Sequence, residues 1–228
     1  MLILFDVDGT LLRSRGVGLK SMKEAIEQLH EVSVDPRVLN TGGRLDNHLF
    51  RELLELGGLA SDSATIGELS RAYVQRMKHH FSQDSWSNPL PGGRELVQAV
   101  HEDETLCGAL LTGNIEETCW LKLEDAGYDR QWFEFGVYGN EGEHRRDLPV
   151  IAMQRYQTMH HRSIRPEDVV VIGDTPHDVD CARHSGCRSV GVATGMSSTE
   201  ELLQSQASLV VDELTDLESL LGWVKDAR

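Results

Sequence analysis

The feature that most constrains this chain is the alternation of short apolar, β-like runs with helical segments from Pro91 onward. Such an alternation is typical of a parallel sheet that carries helices on both faces. Strands are predicted at residues 106–111, 135–138, 169–172, 189–192 and 209–211, and helices at 115–126, 148–160, 177–184, 200–204 and near the end of the chain. We therefore predict an α/β fold with a doubly wound, Rossmann-like parallel-sheet core.

Residues 18–81 differ, because they show helical periodicity throughout and no convincing strand. The stretch from Arg13 to Leu90 contains ten basic and ten acidic residues, so the flanking parts carry the whole formal charge of −15. Glycine and proline residues at 13–18 and 89–93 are typical of linkers. We predict an all-helical cap domain at residues 15–88, inserted into a core formed by residues 1–14 and 89–228.

Composition argues against several classes of protein. The negative charge disfavours nucleic acid or an anionic membrane as a partner. The apolar run at residues 2–5 is too short for a signal sequence, and the four cysteines have no paired metal-site spacing. We expect a cytoplasmic protein with free thiols. The sequence does not determine the oligomeric state, and a monomer is compatible with it.

The apolar run at residues 2–5 leads directly into Asp6, Asp8, Gly9 and Thr10. Two carboxylates at the end of a strand can converge on one point, where they repel each other unless a cation lies between them or one binds a proton. In an open α/β sheet, ligands bind at the carboxyl ends of the strands. By itself the motif is equally compatible with a short strand that ends in an ordinary Asp-Gly turn.

Two more polar clusters follow predicted strands. Thr112, Gly113 and Asn114 precede a helix, whose free N–H groups favour an anion such as phosphate. Taken alone, this run is more simply interpreted as a helix cap. Asp174 and Asp178 lie four residues apart, so Asp178 can support Asp174 or a cation bound there, unless both belong to a loop that only caps the next helix.

A basic cluster, Arg145 and Arg146, precedes the predicted helix at 148–160. An arginine held at this point can neutralise a phosphate and the charge of an anionic nucleophile. Paired arginines are more often part of a solvated surface. The two arginines indicate a functional site only in combination with the polar clusters that follow the predicted strands.

Together these segments resemble the four motifs of the haloacid-dehalogenase-like (HAD) hydrolase superfamily, in the same order and spacing. The resemblance rests on Asp6-Val7-Asp8-Gly9-Thr10, Leu111-Thr112-Gly113-Asn114, the Arg145 region and Gly173-Asp174-Thr175-Pro176-His177-Asp178. The helical insert directly after the first motif is similar to the small α-helical cap of phosphoglycolate-phosphatase-like members.

This resemblance implies a Mg²⁺-dependent phosphatase that hydrolyses small phosphorylated metabolites through an aspartyl-phosphate on Asp6, with Asp8 as the acid and base. It also implies a metal site formed by Asp6, the backbone carbonyl of Asp8, Asp174 and the nearby Asp178. Mg²⁺ prefers such oxygen ligands. The implied phosphate- and substrate-binding residues are Thr112, Gly113, Asn114, Arg145, Arg146 and Arg44.

The chain departs from the third motif of the family, which normally supplies a lysine, because no lysine lies between Lys122 and Lys225. We expect Arg145 to take that role, with Arg146 as the second choice. Arginine keeps the charge and can bind phosphate through two N–H groups, but it does not have the geometry of lysine. Lys122 lies within a predicted helix, where we expect it to cover the surface.

The cap is expected to select the substrate, and its similarity to that of phosphoglycolate phosphatases favours a phosphoglycolate-like molecule. In the loop from Thr41 to Asp46, Arg44 is a candidate for binding a substrate anion, and the alternative is an ion pair with Asp46. Two other functions stay open: a sugar phosphomutase of the same superfamily, and a non-catalytic HAD-fold binding protein. Dehalogenation is disfavoured, because dehalogenases of the family lack the acid at the position of Asp8.

Overall fold

The computed structural model of the chain describes residues 1–226. Its strands are β1 (Leu2–Phe5), β2 (Leu12–Ser14), β3 (Ser87–Pro89), β4 (Cys107–Leu111), β5 (Phe135–Val137), β6 (Val169–Gly173), β7 (Arg188–Val192) and β8 (Leu209–Val211). Its helices are α1 (Val17–His30), α2 (Asp46–Leu56), α3 (Ser63–Gln83), α4 (Gly93–Glu102), α5 (Glu116–Asp125), α6 (Leu148–His160), α7 (Pro176–His184), α8 (Thr199–Gln204) and α9 (Leu217–Lys225).

Six strands form one parallel sheet in the order β5-β4-β1-β6-β7-β8. Alternate side chains of β1 point to opposite faces of this sheet. Ile3 and Phe5 pack with residues of α4, α5 and α9, whereas Leu2 and Leu4 pack with residues of α6 and α7. Apolar residues therefore cover the sheet on both faces, and the predicted doubly wound α/β core is confirmed.

The central position of β1 determines where the functional site lies. Because β1 pairs in parallel with both β4 and β6, the residues that follow these three strands meet at one edge of the sheet. The backbone N–H of Asp6 still donates to the carbonyl of Ile172, at 2.9 Å. Asp6 is therefore anchored to the sheet, while Asp8 lies in the turn beyond it.

The segment from α1 to α3 packs around an apolar cluster of its own, joined from the core by Ile115. Phe50 of α2 and Tyr73 of α3 meet edge to face in this cluster, with ring centroids 5.2 Å apart. The helical character of this segment agrees with the periodicity of its sequence. The exact domain boundaries at residues 15 and 88 stay a prediction.

Three elements were not predicted from the sequence. The strands β2 and β3 form a short antiparallel ribbon where the chain leaves the core and returns to it. Each has three residues, too few for an alternating pattern to appear. The helix α4 buries Leu96, Val97 and Val100 against the sheet.

Within residues 1–226, no helix is both long and apolar enough to cross a membrane.

Candidate active site

A pocket of about 350 Å³ lies between the carboxyl edge of the sheet and the helices α1 to α3. The sheet side contributes polar residues that follow β1, β4 and β6, and the helical side contributes mostly apolar ones. The lining includes eight residues that were predicted from the sequence: Asp6, Asp8, Arg44, Thr112, Gly113, Asn114, Arg145 and Asp174. The topology thus brings together residues that are far apart in the sequence.

Three buried carboxylates cluster at this edge of the sheet: Asp6 and Asp174 line the pocket, whereas Asp178 is outside its lining. One carboxylate oxygen from each of Asp6, Asp174 and Asp178 lies within 4.8 Å of the other two. Burial raises the pKa of Asp6 well above its usual value, and the negative charges of Asp178 and Asp174 add to this, while Arg145 opposes it. Burial and the charge of Asp178 raise the pKa of Asp174 to about 7. The cluster is therefore short of positive charge.

Arg145 contacts two of these three carboxylates. Its Nη2 donates to Asp6 Oδ1 at 2.7 Å and also to Asp178 Oδ1. The side chain is 8% exposed, and its buried Nε has no hydrogen-bond partner among residues 1–226. Asp178 accepts two further hydrogen bonds, from the backbone N–H and the hydroxyl of Thr175, and so also caps α7. Asp178 thus caps α7, as one of the two sequence interpretations expected, and it contacts Arg145 beside the acidic cluster. Its support of a metal site stays a prediction.

Arg146 lies elsewhere. Its Nε and Nη2 donate to Asp180 at 2.6 and 3.0 Å, in an ion pair on the surface. The side chain is 53% exposed and does not line the pocket. The backbone turn at residues 145–147 points neighbouring side chains in different directions. The structure thus brings Arg145, and not Arg146, to the carboxylates.

Asp8 is held by three donors. Its Oδ2 accepts hydrogen bonds from Asn114 Nδ2 and Lys122 Nζ, both at 2.7 Å, and its Oδ1 accepts one from Ser14 Oγ at 3.1 Å. Burial alone would raise the pKa of Asp8, but the Lys122 ammonium and these hydrogen bonds hold that pKa below its usual value. Two neighbouring acids, Asp6 and Asp8, therefore have pKa values shifted in opposite directions.

The expectation that Lys122 covers the surface is wrong. The residue is 5% exposed, and its ammonium donates to Asp8 Oδ2 and to Asn114 Oδ1, each at 2.7 Å. Its partners follow β1 and β4, and their positions depend on the sheet topology. One indirect signal was visible beforehand: Lys122 is the last lysine before a long stretch of sequence without any.

Thr112, Gly113 and Asn114 form the loop between β4 and α5. The Thr112 hydroxyl accepts hydrogen bonds from Asn114 Nδ2 at 2.7 Å and from its backbone N–H at 3.3 Å. The carbonyl of Gly113 accepts the backbone N–H of Asp46 at 2.8 Å. A Cβ atom at position 113 would overlap the carbonyl oxygen of Arg44, so only glycine permits this approach of the helical segment.

Arg44 lines the pocket, but Glu52 is its ionic partner. Its Nη1 donates to Glu52 Oε2 at 2.6 Å and to the carbonyl of Asn40 at 3.2 Å. The expected alternative, an ion pair between Arg44 and Asp46, is not formed. Asp46 instead accepts the backbone N–H of Ile115 at 3.0 Å. Burial raises the pKa of Asp46 to about 6, although Lys122 opposes the shift.

The loop after β7 also reaches the site, and sequence reasoning missed it. The backbone N–H of Met196 donates to Asp174 Oδ2 at 3.2 Å, and the Thr194 hydroxyl donates to the carbonyl of Gly9 at 2.7 Å. A side chain at Gly195 would overlap the Asp174 carboxylate. Arg13, which also lines the pocket, donates to the carbonyl of Thr194 at 2.6 Å. The loop thus restricts the orientation of Asp174.

A parallel α/β sheet with buried acids clustered at its carboxyl edge defines a class of enzymes that bind ligands at that edge. A model of the haloacid dehalogenase-like hydrolase family matches residues 3–192. The chain belongs to this family, as the resemblance of its four motifs predicted.

Relatives span nearly the full chain. Pyrophosphatase PpaX of Anoxybacillus flavithermus is 24% identical over 225 residues, which cover 96% of each chain. A phosphoglycolate phosphatase of Vibrio vulnificus is 27% identical over 223 residues, covering 95% of this chain and 93% of the relative. The crystal structure of CbbY from Rhodobacter sphaeroides in complex with phosphate has a TM-score of 0.75 at 20% identity, covering 95% of both chains. These matches support the phosphoglycolate-phosphatase-like subgroup of the family and a phosphatase type of hydrolase.

Proposed function

We propose that this chain is a Mg²⁺-dependent phosphatase that hydrolyses small phosphorylated metabolites through an aspartyl-phosphate on Asp6. The observation that carries the proposal is the buried Asp6 carboxylate in the pocket, which contacts Arg145 and lies two residues before Asp8. A carboxylate nucleophile divides the hydrolysis of a phosphate ester into two easier steps. Relatives named pyrophosphatase and phosphoglycolate phosphatase support the same class of reaction.

The three buried carboxylates fit a divalent cation. Among residues 1–226, Arg145 is the one basic side chain in ion-pair contact with Asp6, Asp174 or Asp178, so the cluster carries excess negative charge. Carboxylate and carbonyl oxygens are the ligands that Mg²⁺ prefers. We assign Asp6, Asp174 and the backbone carbonyl of Asp8 as its ligands, with Asp178 in support. Bound Mg²⁺ would offset the repulsion between an anionic nucleophile and a phosphate.

In the first step of the proposed reaction, an oxygen of Asp6 forms a bond to phosphorus and the bond to the leaving-group oxygen breaks. Asp8 must bind a proton before this step, because its pKa is held below the usual value, and it then gives that proton to the leaving-group oxygen. In the second step, a water oxygen bonds to phosphorus, the bond between Asp6 and phosphorus breaks, and Asp8 takes the proton of the water. The phosphoryl group would be held by Thr112, Gly113, Asn114 and Arg145, which all line the pocket.

The size of the pocket supports a small substrate, because about 350 Å³ lies at the lower end of the range for small-molecule sites. Arg44 is a candidate for contact with an anionic leaving group, provided that the substrate competes with Glu52 for its guanidinium. We extend the proposal to a helical cap at residues 15–88 over the pocket. Four buried cysteines without a disulfide support a reducing, cytoplasmic setting.

The test is hydrolysis of para-nitrophenyl phosphate with and without Mg²⁺, by the wild type, Asp6→Asn and the control Asp212→Asn. Asp212 is exposed and outside the pocket lining. We expect Asp6→Asn to lose at least about 10³-fold in kcat and the control to match the wild type. Rapid acid quench should trap a phosphorylated protein only when Asp6 is present. Retention of wild-type turnover by a folded, metal-replete Asp6→Asn would refute the assignment of the nucleophile.

A panel of phosphorylated metabolites, including phosphoglycolate and inorganic pyrophosphate, then identifies the leaving group. Transfer of the phosphoryl group to a second hydroxyl of a sugar phosphate would indicate a mutase. Binding of phosphorylated metabolites without hydrolysis of any of them would indicate a non-catalytic protein.

A further inference from the structure

Lys122 is a buried cation to which the proposed reaction assigns no role. Its side chain is 6% exposed and extends from α5 into the lining of the pocket that contains Asp6. Removing an ammonium group from water is costly unless the charge is paired and hydrogen-bonded. A lysine that served only to cover apolar surface would keep its ammonium in water. The buried position of the Lys122 ammonium is therefore stable only if other groups pair with it.

The ammonium forms part of a closed set of hydrogen bonds around one oxygen of Asp8. Lys122 Nζ and Asn114 Nδ2 each donate to Asp8 Oδ2 at 2.7 Å. Lys122 also donates to Asn114 Oδ1 at 2.7 Å, so the two donors orient each other. Ser14 Oγ donates to Asp8 Oδ1 at 3.1 Å. These contacts fix the rotation of the Asp8 carboxylate, whose side chain keeps 39% exposure.

The helical segment covers the lysine from the other side. Asp46, the first residue of α2, is tied to the loop after β4 through the carbonyl of Gly113 and the N–H of Ile115. Burial lowers the pKa of Lys122, but the negative charges of Asp8 and Asp46 act against burial and the pKa lies above its usual value. Lys122 thus lies between Asp8 and the side of the pocket that the helices α1 to α3 form.

We propose that Lys122 is a positioning residue for the acid–base step: together with Asn114, it holds the Asp8 carboxylate in the orientation that meets the leaving-group oxygen. The inference rests on the proposed function, because it requires that Asp8 exchanges a proton with the leaving group. Reacting groups must be held within a narrow range of positions, so a small displacement of the acid lowers the rate. Arg145 contacts Asp6 in turn, and each carboxylate of the first motif has a cation of its own.

The test compares Lys122→Met with the wild type on phosphate esters whose leaving groups differ in basicity. A poor leaving group needs a proton to depart, whereas a good one departs without it. We expect kcat/KM, which reports the step in which the leaving group departs, to fall on the order of 100-fold for an alkyl phosphate and less than about 10-fold for para-nitrophenyl phosphate. Lys78→Met, at an exposed lysine of α3, is the matched control and should equal the wild type.

A double variant tests whether Lys122 acts through Asp8. Added to Asp8→Asn, the change Lys122→Met should lower kcat by less than about 3-fold, because residues that act as a unit are not additive. Full additivity would overturn the inference. So would an equal loss of kcat/KM with every leaving group, or unchanged kinetics on all of them.

Two further variants keep the outcome decisive. If Lys122→Met does not fold, the same esters are measured with Lys122→Arg, whose planar fork cannot reproduce the contacts of an ammonium. A steeper dependence of the rate on the leaving group than in the wild type supports the inference, and an unchanged dependence overturns it.

Asp6→Asn separates the proposed function from the positioning role of Lys122. If this variant retains turnover, the proposed function fails. If it is inactive while Lys122 variants lose rate uniformly, only the positioning role fails.

Discussion

The two walls of the pocket differ in chemistry. The wall formed by the ends of β1, β4 and β6 carries buried charges with assigned partners, such as Asp6 with Arg145 and Asp8 with Lys122. The wall formed by α1 to α3 presents four apolar or aromatic side chains, Leu19, Met22, Leu49 and Tyr73. Its charged members are held by other contacts, since Arg44 pairs with Glu52 and Asp46 binds the loop after β4.

This difference suggests a division of labour. The sheet wall holds charges at fixed positions, which is what a transition state that develops charge requires. We expect the helical wall to exclude water and to contact whatever lies beyond the phosphoryl group. Changes in the sheet wall should therefore lower the rate for all substrates, whereas changes in the helical wall should alter the preference among them. The following variants examine this division, starting with the largest expected effect.

Arg145→Met should cause the largest loss. It leaves Asp6 and Asp178 buried without their cation, and it removes a donor that we assign to the phosphoryl group. We expect kcat to fall by about 10²–10³-fold and stability to fall on the order of 3 kcal/mol. Arg146→Met, one residue away on the surface, should change neither activity nor the melting temperature appreciably. Steady-state kinetics and thermal unfolding measure both, and equal effects of the two variants would contradict the structure.

Gly113→Ala tests the contact between the two walls. The added methyl group would overlap the carbonyl of Arg44, which forces the helical segment away from the loop after β4. We expect a loss of about 1–3 kcal/mol in stability from the enforced shift, together with roughly 10-fold lower kcat/KM. The control is Gly222→Ala in α9, where a Cβ atom meets nothing within 4 Å. A tolerated Gly113→Ala with wild-type kinetics would show that the walls are not tightly joined.

The residues of the sheet wall that directly follow strands were predictable from the sequence, whereas in the helical wall only Arg44 was predicted. Asp6, Thr112 and Asp174 were predicted because each directly follows a buried strand, and parallel strands end at the same edge. The choice between Arg145 and Arg146 depends on the direction of one short turn, which composition does not encode. Lys122 was misassigned because its partner Asp8 lies 114 residues away along the chain. Such a contact becomes visible only when the strand order is known.

Asp46→Asn tests the electrostatic part of the contact between the walls. Burial raises the pKa of Asp46 from 3.8 to about 6, so the folded state holds this proton more tightly than the unfolded chain does. The contribution of Asp46 to the free energy of unfolding is fully present below about pH 4 and is lost as the pH rises through about 6. Asparagine has no such dependence, and the stability of the variant relative to the wild type should improve across this range by up to about 3 kcal/mol.

Thermal unfolding of both proteins at about pH 4 and about pH 7 measures this difference, since titrations common to the two cancel. Asp212→Asn controls for the removal of a carboxylate from the exposed surface. A difference in melting temperature between Asp46→Asn and the wild type that does not change with pH would contradict the raised pKa of Asp46.

Leu19→Ala should have the smallest effect and the most selective one. Leu19 lines the helical wall, is partly buried and packs against the apolar cluster of the helical segment. Losing this contact should raise KM by about 3- to 10-fold for esters with a bulky apolar leaving group, and by less for compact ones, because small changes in an apolar pocket are worth about 1–3 kcal/mol. We expect kcat to stay within about 3-fold, since no reacting group moves. The measurement is KM and kcat over a series of phosphate esters of increasing size. If Leu19→Ala instead lowers kcat equally for every ester, the helical wall takes part in the chemical step, and the division of labour between the two walls is wrong.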